Sequence, residues 1–94
     1  MKKILIIGSA VADVIIRLED ALPRRGEDVH VLSQEMRMGG CAFNVSDIIR
    51  HFRLPSIPFF PVGAGAYGDF VRRQFELRQI PLVIPSPEEE NGCC

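Results

Sequence analysis

The chain has 94 residues, 47% of them hydrophobic, with 11 Lys and Arg set against 12 Asp and Glu for a formal charge of −1. That length allows one small domain, burying roughly two-thirds of its unfolded surface, and the balanced charge offers no basic face for nucleic acid. No apolar run approaches the roughly 20 residues that cross a bilayer, so neither nucleic acid nor a membrane is expected as a partner.

Lys3 to Ile7 is short, β-branched and almost wholly apolar, and it ends at Gly8. This is the pattern of a central strand buried on both faces of a parallel sheet. Met1-Lys2-Lys3 ahead of it and the small residues of Ala10-Val11-Ala12 imitate a secretory leader. The apolar run, however, breaks at Gly8-Ser9 and resumes at Val14-Ile15-Ile16, which favours a strand. Val14 to Leu18 is the second strand. After a loop of turn formers from Ala21 to Gly26, Asp28 to Met36 alternates apolar and polar residues, with Val29, Val31 and Ser33 to one side, as a half-exposed strand does. The second and third strands together predict an antiparallel flap projecting from the main sheet.

Ala42 to Phe52 has its apolar positions three and four apart and predicts a helix, closed by Leu54-Pro55-Ser56. Ile57 to Val62 is the next strand, although Pro58 and Pro61 lack ladder donors and require an edge or a distortion. Gly63 to Gly68 reads as a glycine-rich turn and Asp69 to Gln79 as a second helix with Phe70, Val71 and Phe75 inward. Leu82-Val83-Ile84 is a short last strand. Pro85 to Gly92 reads as a polar, mobile connector. No repeat is present. The order of elements predicts an α/β sheet with helical crossovers that continues past Cys93-Cys94, as if the chain were truncated. Three cysteines, two of them adjacent, form neither a disulfide framework nor a zinc pattern, and a reducing cytoplasm is the expected setting.

The most informative segment is Met38-Gly39-Gly40-Cys41-Ala42-Phe43-Asn44-Val45-Ser46. Adjacent glycines allow a positive φ and a close ligand approach to the main chain. The helix that follows presents free N–H groups and a partial positive charge, and the Asn44 amide can both donate to and accept from a hydroxyl. The combination suits a polyhydroxy ligand better than a bare phosphate. Structural readings stand beside it: Asp13 as a turn or cap residue, Asn44 as a partner for local backbone, Gly39-Gly40 as an ordinary strand-to-helix turn. His30 and His51 read as surface residues, and Glu88-Glu89-Glu90 as a solvated linker. The run from Gly63 to Gly68 lacks the order of a dinucleotide site.

Three blocks together resemble the N-terminal third of the ribokinase-like (PfkB) carbohydrate kinases. They are Gly8-Ser9-Ala10-Val11-Ala12-Asp13, Gly39-Gly40-Cys41-Ala42-Phe43-Asn44, and Val62-Gly63-Ala64-Gly65-Ala66-Tyr67-Gly68-Asp69-Phe70. The resemblance covers nearly the whole chain. It implies a ribokinase-like α/β fold, a partial parallel sheet with a small antiparallel β lid at about 14–18 and 28–36. It implies that Asp13 and Asn44 hold sugar hydroxyls, that Gly39 and Gly40 form the floor beneath the sugar, and that the flap acts as a lid and as a possible homodimer surface. It also implies transfer of a phosphoryl group from ATP, with Mg2+, to a hydroxyl of a sugar or nucleoside.

The chain departs from that family where catalysis is concerned. Its members carry a Gly-Ala-Gly-Asp signature whose Asp is the general base, and here Ala66 follows Gly63-Ala64-Gly65. Residues 1–94 are therefore expected to be the N-terminal portion of a kinase domain, with no catalytic, cofactor-binding or metal-binding residue of their own and no activity alone. Gly65 and Cys41 leave the sugar unnamed. The alternative reading is a non-catalytic α/β binding or dimerisation module.

Overall fold

The computed structural model describes residues 2–81 and 84–94, in the order β1 (Ile4–Ile7), β2 (Val11–Leu18), β3 (Val31–Gly39), α1 (Cys41–His51), β4 (Ser56–Phe59), β5 (Pro61–Ala64), α2 (Gly65–Arg78) and β6 (Ile84–Glu90). β1 pairs in parallel with β4, and β5 with β6. β2 and β3 form the antiparallel flap. Each parallel pair is joined through a helical segment, as parallel strands require, so the expected mixed α/β architecture is what the chain adopts.

The core lies where the two helices meet the strands. Phe43 of α1, Phe75 of α2 and Phe60 between β4 and β5 are all buried. The Phe43 and Phe75 rings stack at 6.4 Å between centroids, and Phe60 tilts onto Phe75 at 6.0 Å. Val62 and Val71 are fully buried among them, with Ile6, Ala10 and Ala42 completing the cluster. Val71 and Phe75 are inward as expected, while Phe70 is half-buried at the rim. Arg78 lies over the Phe43 ring at 5.4 Å and accepts, at its carbonyl, a 2.6 Å hydrogen bond from the Arg50 guanidinium, tying the end of α2 to α1.

Several elements differ from expectation, each for a physical reason. β1 is not buried on both faces: only Ile6 is buried, and Leu5 and Ile7 are exposed, because β4 flanks it on one side and its outer face has no cover among the described residues. β2 begins at Val11, three residues early, and β3 runs from Val31 to Gly39 rather than from Asp28 to Met36. Pairing decides this, since Val11 lies opposite Gly39 and the ladder must extend to the flap's root. The register also moves Ser33 to the polar face, with Glu35 and Arg37, and puts Met36 and Met38 opposite Val14 and Ala12. The strand predicted over Ile57 to Val62 divides at Phe60 into β4 and β5, the distortion that Pro58 and Pro61 demanded.

α2 starts at Gly65, four residues before Asp69, so the expected glycine-rich turn is the end of β5 and the first turn of the helix. Leu82 and Val83 of the expected last strand lie outside the described residues. Ile84 opens β6, and the stretch from Pro85, expected as a mobile connector, is that strand as far as Glu90. A parallel partner in β5 gives its backbone groups bonds that a solvated linker would make to water. Beyond β6 the chain still has a partner: Cys93 bridges Ala12 in parallel, in keeping with a strand starting there.

Candidate sugar site at the root of the flap

Asp13 is the third residue of β2, so the reading of it as a turn or cap residue does not hold. Its partner across the ladder is Arg37, and residues directly opposite share a face. The Arg37 guanidinium nevertheless donates to the Glu35 carboxylate at 2.7 Å. Among the described residues no ion pair or side-chain hydrogen bond engages Asp13. A half-buried carboxylate with its lone pairs unclaimed is an acceptor for hydroxyl donors.

The carboxylate lies directly over the main chain of Gly39, where a Cβ would overlap it. Gly40 has φ 97°, and a Cβ there would stand 2.5 Å from the Ser9 carbonyl oxygen. Both glycines are thus dictated by geometry: the first clears room for Asp13, the second turns the chain from β3 into α1 against the β1–β2 loop. Phe43 N–H donates to that same Ser9 oxygen at 3.3 Å. Gly40 occupies the N-cap of α1 and no side chain caps the helix; of the donors at its start, the Phe43 N–H is taken by the Ser9 carbonyl.

Asn44 is one turn into α1 and exposed, its backbone N–H already donating to Gly40 O at 2.9 Å. It does not cap the helix, which removes the local-backbone reading. It borders a groove of about 340 Å³ shared with Met36, Arg37 and Met38 of β3 and with Phe70 and Gln74 of α2. The structure therefore seats Asp13 against Gly39, with Gly40 next in the chain, while Asn44 borders a groove whose lining includes neither Asp13 nor the two glycines, and no side-chain hydrogen bond joins Asn44 to Asp13.

Two residues escaped the sequence reading. Arg37 is legible once the register is known, being the residue opposite Asp13 on an alternating strand. Asn91 is buried and hydrogen-bonded at both ends of its amide, in a stretch whose composition reads as solvated. Cys93 nearby holds the Tyr67 hydroxyl above its ordinary value, first through a hydrogen bond and then through its charge, with burial and Glu90 adding to the effect. His30 and His51 are exposed, as expected. Among the described residues no three His, Cys, Asp or Glu side chains gather to hold a metal ion, and no helix is long and apolar enough to cross a membrane.

Comparison with known proteins agrees with this architecture. The family model of pfkB family carbohydrate kinases matches residues 1–94. An uncharacterised sugar kinase of Escherichia coli K12, YegV, is 29% identical over 93 residues, which is 99% of this chain and 29% of that protein. Among solved structures, the nucleoside kinase of Methanocaldococcus jannaschii, a ribokinase-family member, superposes with a TM-score of 0.79 at 25% identity, over 99% of this chain and 31% of its own. A ribokinase from Giardia lamblia gives 0.75 at 27% identity, over 99% and 29%. The chain thus spans about three-tenths of the length of these relatives, and over that span it belongs to the pfkB family of carbohydrate kinases.

Proposed function

We propose that residues 1–94 hold the sugar in an ATP-dependent carbohydrate kinase that transfers a phosphoryl group to a hydroxyl of a sugar or nucleoside. The observation that carries this reading is the Asp13 carboxylate, half-buried, without an ion pair or side-chain hydrogen bond among the described residues, and seated over the Gly39 main chain. Asp13 accepts from sugar hydroxyls, Gly39 and Gly40 let the ring approach the backbone, and Asn44 donates to and accepts from further hydroxyls on the groove side. The flap of β2 and β3 serves as the lid. Phosphoryl transfer needs positioning and charge stabilisation more than covalent help, and a closed lid keeps water from competing as acceptor.

ATP and Mg2+ are expected to be held outside residues 1–94. Gly63-Ala64-Gly65 is followed by Ala66 where a base would be needed, and no metal-holding cluster exists among the described residues. No step is assigned to this chain beyond binding, orienting and covering the sugar, and residues 1–94 alone are expected to form no ADP from ATP. A second reading, a non-catalytic module that dimerises through the flap, draws on the exposed Ile16, Val31 and Leu32.

Calorimetric titration with D-ribose, D-fructose and adenosine separates the two. The sugar-site reading expects binding of at least one of them, weakened at least tenfold by Asp13→Ala at unchanged fold. Binding of none, together with a concentration-dependent dimer, supports the module. ADP formation by residues 1–94 would overturn the assignment of catalysis elsewhere.

A further inference from the structure

Among the described residues no side chain bonds to Asp13, so the backbone that carries it sets its position. β2 is held on one side by β3. On the other side, at its root, it is held by a segment far away in sequence. Ala12 N–H donates to Gly92 O at 3.2 Å, Cys94 N–H donates to Ala12 O at 3.0 Å, and Val14 N–H donates to Cys94 O. These three bonds bracket Asp13 at both of its neighbours.

The segment Gly92–Cys94 is in turn aimed by Asn91. The β5–β6 ladder shifts register between Val62 and Ala64, and at that irregularity the Gly63 N–H takes the Asn91 side-chain oxygen at 2.9 Å instead of a ladder carbonyl. The same amide's nitrogen donates to Ala10 O at 3.2 Å and to Gly92 O at 3.1 Å. Its own backbone N–H donates to Ala64 O at 3.1 Å. One buried side chain thus joins β5, the loop entering β2 and the segment that brackets Asp13. An amide is the group that can accept on one side and donate twice on the other.

We infer that Asn91 is a positioning residue for the sugar site: its amide fixes Gly92–Cys94 against β2 and thereby sets where the Asp13 carboxylate stands. This rests on the proposed role of Asp13. A hydroxyl at position 91 retains one donor and an acceptor, whereas an isosteric methyl retains neither, so Asn91→Thr and Asn91→Val form the informative pair.

The test uses residues 1–94 and, as probe, whichever of D-ribose, D-fructose and adenosine the wild type binds most tightly. Asn91→Val is expected to weaken that binding at least tenfold at a temperature where circular dichroism shows it folded, and Asn91→Thr to stay within about threefold of wild type. Equal affinity in folded Asn91→Val, or equal loss in both variants, overturns the inference. Amide hydrogen exchange on the wild type gives a second measure that depends on neither ligand nor variant. Gly63, Ala12 and Val14 are expected to open together, with protection factors agreeing within about threefold. Ala12 and Val14 exchanging at least a hundredfold faster than Gly63 would show that the clamp does not reach Asp13, and would overturn the inference even if Asn91→Val does not fold. If the wild type binds none of the three probes while these amides open together, the sugar reading fails and the clamp stands.

Discussion

The flap has two ends that differ in almost every physical respect. At its root, Ala12 and Gly39 are buried, Asp13 lies against the Gly39 backbone, and β2 is bracketed by β3 and by Gly92–Cys94. At its tip, Glu19 to His30 enclose an open, mostly polar hollow of about 530 Å³, Leu22 is 82% exposed, and the Arg24–Glu27 ion pair is 4.0 Å long and solvated. A solvated pair of that kind contributes about 0–1 kcal/mol. The root is bonded on both sides and the tip is solvated, the division that the proposed lid beside a proposed binding carboxylate would require.

The comparison can be broken most severely from beneath the root. Phe75→Ala removes the ring on which both Phe43 and Phe60 pack, and about 3–5 kcal/mol of stability should go with it, read as a lowered midpoint in denaturant unfolding. An unchanged midpoint would mean the aromatic cluster does not carry the fold. Asp13→Ala comes next and separates function from stability. Loss of a charge-assisted hydrogen bond of about 1.5–3 kcal/mol predicts ten- to hundredfold weaker sugar binding. With no ion pair at Asp13 among the described residues, the unfolding midpoint should hardly move.

Gly40→Ala then tests the turn from β3 to α1. A side chain at φ 97° beside the Ser9 carbonyl should cost about 1–3 kcal/mol in stability, measured by thermal unfolding. At the tip, Leu22→Ser should change stability by less than about 0.5 kcal/mol; a larger loss would show the tip packed rather than free. The smallest effect is spectroscopic. Tyr67 is the chain's single tyrosine, so absorbance titration reports on it alone. Its midpoint should lie above the ordinary value and fall toward it in Cys93→Ala, since the Cys93 contact is the first cause of the rise. Should the midpoint stay put in that variant, Cys93 is not docked beside α2.

Much of the molecule was legible from residue order. The 3.6-residue spacing of Ala42 to Phe52 marked α1 because one helix face must find the core, and Val71 and Phe75 were assigned inward for the same reason. Glycines at 39 and 40 announced a backbone demand that the structure confirms in geometry. The start of β2 and both ends of β3 were missed by three residues, while the end of β2 at Leu18 was met, because alternation alone does not fix where an antiparallel partner ends. The stretch after Pro85 was missed because Pro, Ser and Glu read as solvent-loving, and only a neighbour in space reveals that their backbone is paired.

What the sequence determined by itself, then, was composition-driven and local: the α/β order of elements, the helix faces and the glycine turn. These follow from short-range sterics and from the period of the apolar pattern. Tertiary structure decided what depends on partners distant in the chain: that Asp13 faces Gly39 with no ion pair among the described residues, that Arg37 turns to Glu35, that β1 keeps a face those residues leave uncovered, and that Asn91 ties β5 to the root of the flap. Hydrogen bonds between residues 81 apart, such as Asn91 to Ala10, leave no mark on local propensity, because the loop closure that brings them together is governed by the whole fold.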